Sequence, residues 1–75
     1  MGFKLGDCLL SDRLDEHGWT QAYFAKRMNV SRQFVNRIIS GERKMSFEFA
    51  INAAHILGCR TTDLYVLEVV NDRSE

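Results

Sequence analysis

Four stops punctuate this chain. Gly18, Asn29, Gly41 and Gly58 each follow a stretch of apolar residues at helical spacing. Glycine, and after it asparagine, best tolerates the left-handed backbone that ends a helix. Thr20, Ser31 and Ser46 stand where the next segments open, and each has a side-chain oxygen suited to an N-cap. Proline is absent. The punctuation predicts about five short helices in an all-α fold, with no β-alternating segment of useful length.

The first helix is expected over about Leu5 to His17, with Leu5, Cys8, Leu9 and Leu14 approximating one apolar stripe. The second follows Thr20 and turns Phe24, Ala25 and Met28 inward. The third follows Ser31 and buries Val35 and Ile38. The fourth follows Ser46, carries Glu48 in its first turn, and presents Phe47, Ala50, Ala53, Ala54 and Leu57. The fifth is expected from Thr61 or Thr62, with Asp63 in its first turn and Leu64, Tyr65 and Leu67 along it. The polar tail, 71–75, is expected to fray.

At 75 residues the chain is one domain, 1–75, near the lower size limit for folding alone. A large catalytic barrel or dinucleotide fold needs more chain. The longest apolar runs are about four residues, against ~18 for a membrane span. No secretory leader opens the sequence, and Gly6 breaks the myristoylation pattern begun by Met1-Gly2. The expectation is a cytoplasmic, nucleoid-associated protein. Cys8 and Cys59 read as free thiols. His55 and Cys59 are four apart, but Gly58 interrupts that face and no second ligand pair is visible, so neither a metal nor another cofactor is expected. His17 and His55 have no evident nucleophile beside them, and no enzyme is expected.

The net charge is zero, which argues against nucleic acid, but its distribution argues the other way. Residues 26–44 hold six bases, Lys26, Arg27, Arg32, Arg37, Arg43 and Lys44, against Glu42 alone, a balance of +5. The remainder holds four bases against nine acids, a balance of −5.

That basic stretch falls largely within Thr20–Gly41. Two short helices are joined there by Met28-Asn29-Val30-Ser31, and small Ala25 permits their close crossing. This is the pattern of a helix-turn-helix unit, about 20–41, whose second helix fits a major groove.

The strings Trp19-Thr20-Gln21-Ala22-Tyr23-Phe24-Ala25 and Val30-Ser31-Arg32-Gln33, followed by Ile38 and Gly41, resemble the lambda-repressor/Cro-type (XRE-like) helix-turn-helix family. The resemblance runs from about Arg13 to Tyr65, and it implies a five-helix DNA-binding regulator. Val30–Gly41 is also similar to HigA-type antitoxins. By position, Arg32 and Gln33 resemble the family's base-reading residues. Their chemistry agrees: arginine can pair with guanine, and glutamine with adenine. Asn36 and Arg37 continue that face. Gln21, Ser31, Ser40, Arg43 and Lys44 resemble its phosphate-holding positions. Phe34 reads as packing on the second helix or partly exposed, with contact to a thymine methyl as the other reading.

Four departures stand out. Asn29 replaces a turn glycine; Leu14 and Ile39 replace an ion pair; Met45 stands where proline is common; and the net charge is low. The implied function is a repressor on double-stranded DNA, bound to a palindromic operator as a homodimer. Tyr65, Val66, Val69 and Val70 are the expected dimer interface, with Phe49, Ile51 and Ile56 as further spare apolar residues. Alternatives are an antitoxin that also binds a toxin, or an interaction module that has lost DNA binding; the protein partner to look for is a toxin or an antirepressor.

Overall fold

The computed structural model describes residues 2–70. The order is β1 (Gly2–Cys8), α1 (Leu10–His17), α2 (Gln21–Met28), α3 (Arg32–Ser40), α4 (Phe47–Leu57), a 3-10 turn (Thr61–Asp63) and β2 (Tyr65–Val70). The tail expected to fray lies outside the described residues.

The punctuation acts where the sequence placed it. Thr20 Oγ1 accepts from the Tyr23 amide at 3.0 Å, Ser31 Oγ from the Phe34 amide at 3.0 Å, and Ser46 Oγ from the Phe49 amide at 3.1 Å. Each satisfies an amide the helix cannot. Asn29 sits at φ 59°, ψ 43°, the only non-glycine at positive φ among the described residues. The amide of Val30 returns to the carbonyl of Ala25 at 3.0 Å, which fixes the chain's exit toward α3. Asparagine meets that geometry at low cost, so the departure from glycine is accommodated locally.

Leu10, Leu14, Phe24, Ala25, Val35, Ile38, Ala53, Ala54, Leu57, Leu64 and Tyr65 make one continuous core. Ala25 is buried where α2 and α3 pack on each other, as the small side chain required. Leu14 is buried and Ile39 packs half-buried against the same cluster, in place of a charged pair. Phe47, expected on the inner stripe of α4, is instead 78% exposed. It is the first residue of that helix, before the stripe of Ala50, Ala53, Ala54 and Leu57 turns inward.

The ends of the chain correct the all-α, five-helix expectation. The first helix starts at Leu10, not Leu5, and residues 2–8 are a strand. The expected fifth helix is one 3-10 turn, after which Tyr65–Val70 runs extended. The two strands pair antiparallel, Phe3 opposite Val69 and Leu5 opposite Leu67. Each end supplies the backbone partners that the other lacks. The Tyr-Val-Leu-Glu-Val-Val composition of β2 suits the pleated sheet better than a helix. The amide of Leu9 donates to the carbonyl of Leu64 at 2.8 Å, delivering the strands side by side.

Between Leu5 and Cys8 the register shifts, making a bulge. A Cβ on Gly6 would lie 3.2 Å from the Val66 carbonyl oxygen and 2.9 Å from Glu68 Oε2. A side chain there would push Glu68 aside and require the Val66 backbone to give by a few tenths of an ångström, so glycine eases the close approach of β1.

Candidate nucleic-acid interface

Helix α3 divides its side chains by face. Val35 and Ile38 are fully buried. Arg32, Gln33, Asn36 and Arg37 are all exposed. Arg32 and Asn36 are one turn apart, as are Gln33 and Arg37, so the four form a polar strip along one side. The core behind them holds the strip in place.

Ser31 opens the helix, and its hydroxyl is committed to the Phe34 amide. Gln21 opens α2, half-buried, directly after the Thr20 cap. At the other end of α3, Ser40 Oγ donates to the Arg37 carbonyl at 3.0 Å and accepts from the Glu42 amide at 3.4 Å. These bonds shape the turn around Gly41, which sits at φ 88°. The Arg43 amide also returns to the Arg37 carbonyl, at 3.2 Å. Arg43 and Lys44 follow, both exposed.

Two contacts tune this basic end. Glu42 Oε2 lies 4.0 Å from Arg37 Nε, a solvent-exposed ion pair. Such a pair is weak and leaves Arg37 free to exchange its partner. The Arg43 guanidinium lies 5.2 Å from the Phe34 ring centre. Phe34 is half-buried and edge-on to Phe49 at 5.6 Å, so the ring is a fixed platform for that cation. The expectation that Phe34 packs with partial exposure matches this position, and the stacking adds a reason for it.

Sequence reasoning counted Arg27 as charge only. In the structure its guanidinium lies 5.2 Å from the Trp19 ring centre and 5.8 Å from that of Tyr23. Arg27 Nη1 donates to Tyr23 Oη at 3.2 Å. The signal was present: Tyr23 and Arg27 are four apart on α2, and such pairs meet on a helix surface.

Residues 10–64 match the helix-turn-helix family model. The protein belongs to the lambda-repressor-like helix-turn-helix family. Its members are DNA-binding transcription regulators. No curated protein matches the chain. The match covers α1 to the residue before β2, so both strands of the hairpin lie outside it.

Of the residues expected at a dimer interface, Tyr65 is 8% exposed, and its hydroxyl accepts from the Met45 amide at 3.0 Å. It anchors the hairpin to the helix-turn-helix body. Burial pushes its phenol pKa up, and burial likewise raises that of the neighbouring Cys8 thiol. Val66, Val69 and Val70 are on β2 rather than on a helix; Val66 and Val69 are exposed and Val70 is half-buried. Ile51 is exposed, whereas Phe49 and Ile56 pack against the core.

A cavity of about 250 Å³ lies where the hairpin meets the loop after α3, lined by Cys8, Ile39, Ser40, Arg43, Lys44 and Tyr65 among others. Among the described residues, no three His, Cys, Asp or Glu side chains gather as a metal would require. No helix among them is long and apolar enough to cross a membrane.

Proposed function

We propose that this helix-turn-helix protein is a sequence-specific transcriptional repressor that binds a palindromic operator as a homodimer, in the cytoplasm at the nucleoid. The observation that carries this reading is the α3 strip: Arg32, Gln33, Asn36 and Arg37 exposed over fully buried Val35 and Ile38. Rigid backing is what base recognition needs, because a bidentate pair tolerates little misplacement. Arg32 and Gln33, at the start of the helix, read base edges. Asn36 and Arg37 read further along, with Arg37 exchanging Glu42 for DNA.

Gln21, Ser31, Ser40, Arg43 and Lys44 hold phosphates and set the register. Ser31 does so while keeping its cap bond, because its hydroxyl accepts there and its one proton is free for a phosphate; Ser40 must give up its bond to the Arg37 carbonyl to donate to one. Repression follows from occupying the site that polymerase needs.

Selection of bound DNA from a random pool, using the purified full chain, tests this reading. The expected product is a palindromic consensus with half-sites about one helical turn apart. Arg32→Ala should cost ~1–3 kcal/mol on that site and relax one base position. Arg43→Ala should weaken all sequences alike and reduce the salt slope by about one. No enrichment at low salt would overturn the reading.

A further inference from the structure

The hairpin has two unlike faces. On one, Lys4 Nζ and Glu68 Oε1 are 3.6 Å apart, a charged pair in solvent. On the other lie Phe3, Leu5, Leu67 and Val69, which share a face because alternate residues of a strand do. Phe3 is 69% and Val69 64% exposed. Only the bulged end of the hairpin, at Cys8 and Tyr65, packs against the core. From there the face is progressively uncovered: Leu5 and Leu67 keep partial cover from the body, and Phe3 and Val69 project furthest into solvent.

The face continues onto α4. Phe47 and Ile51 are both exposed and one turn apart. Between them and the sheet runs a groove of about 310 Å³, lined by Leu5, Met45, Phe47, Ala50, Tyr65 and Leu67 among others. Phe3, Leu5, Phe47, Ile51, Leu67 and Val69 together expose on the order of 600 Å² of side chain, at roughly 150–200 Å² for each fully exposed residue. A monomer's largest apolar patch is ~300–600 Å², so this one is at the upper end. A stable two-protein interface buries ~800 Å² per partner with a polar rim included, which such a patch nearly supplies.

We infer that this face binds a second copy of the chain, with the two hairpin–α4 surfaces packed about a two-fold axis. The inference rests on the regulator reading above and names the surface through which that homodimer forms. Area is the first support. Charge is the second: none of these six side chains is ionisable, so the patch holds no charge to repel its own copy and none to select a charged partner. Position is the third. Tyr65 fixes the hairpin to the body through the Met45 amide, so packing two hairpins fixes the spacing of two α3 helices. A two-fold pair of α3 helices at fixed spacing is what a palindromic site requires.

Sedimentation equilibrium of the full chain tests the inference, with Phe47→Glu and Val69→Glu beside the wild type. Both positions are exposed, so the variants should keep the wild-type circular dichroism spectrum. Wild type should be dimeric in the micromolar range, and each variant should weaken association by ~30-fold or more, as loss of a central apolar contact does. A wild type that is monomeric at about 100 µM would overturn the inference and assign the face to a different protein. So would variants that associate as tightly as wild type.

Binding to a single selected half-site separates this test from the regulator reading. Monomeric variants that still bind the half-site support both. A wild type that binds DNA but never dimerises sinks the interface alone. A dimer disrupted by both substitutions, with no DNA bound by wild type, keeps the interface and sinks the regulator.

Discussion

The helix-turn-helix unit and the terminal hairpin carry similar apolar residues and treat them oppositely. In α2 and α3, Phe24, Ala25, Val35 and Ile38 are all buried, and what faces solvent is polar or charged apart from the small Ala22, the Tyr23 ring and the half-buried Met28, Phe34 and Ile39. In the hairpin, Phe3, Leu5, Leu67 and Val69 face solvent. The first region lies inside the family match and the second flanks it. The difference teaches that the helical body closes its own core. The hairpin is joined to that core at one end and has an apolar face left over.

Three perturbations would break or sharpen this contrast. The largest effect is expected at the body's centre. Phe24→Ala should cost ~3–5 kcal/mol, because it opens a cavity beneath both helices of the unit. The matched change on the hairpin, Phe3→Ala, should stay within about 0.5 kcal/mol at concentrations where the chain is monomeric. Urea denaturation followed by far-ultraviolet circular dichroism reads both. Equal costs would erase the distinction between the two regions.

An intermediate effect is expected at the bulge. Gly6→Val forces a side chain against the Val66 carbonyl and should cost ~1–3 kcal/mol. Amide hydrogen exchange should show that loss in β1 and β2, with α2 and α3 keeping their protection. Uniform loss would mean the hairpin and body open as one unit.

The smallest effect concerns pH at the joint between the regions. Tyr65 and Cys8 both have pKa values raised by burial. A group held more protonated in the folded state stabilises it fully below its unfolded pKa, and that contribution fades as pH rises through the folded value. The loss therefore begins above about pH 8.5 for the thiol and about pH 10 for the phenol. A near-ultraviolet tyrosine signal should report release of the hairpin joint before the helices melt. Tyr65→Phe removes the phenol's contribution to this step and, with it, the acceptor for the Met45 amide. An alkaline transition unchanged by that substitution would show that Tyr65 does not time the release.

The candidate site was legible because every residue in it is specified nearby in sequence. Ser31 caps the helix that carries Arg32 and Gln33, and Val35 and Ile38 orient it, all within nine positions of one another. The Arg43–Phe34 and Arg27–Trp19 stacks were not read, because each depends on where a ring is fixed by packing. The hairpin was missed for a related reason. Residues 2–8 contain apolar residues that a helical stripe can absorb, and their strand partners lie some sixty positions away. Pairing over that separation leaves no local mark beyond the β-prone composition of residues 65–70.

Sequence by itself determined the helix-turn-helix unit, its caps and stops, and the polar strip on α3. These are matters of backbone satisfaction and helical period, which act over three or four residues. Tertiary structure decided the fate of the two chain ends, the exposure of Phe47 and the burial of Tyr65. A strand has no hydrogen-bond partner until another segment arrives, and an apolar side chain has no inside until the core closes around it.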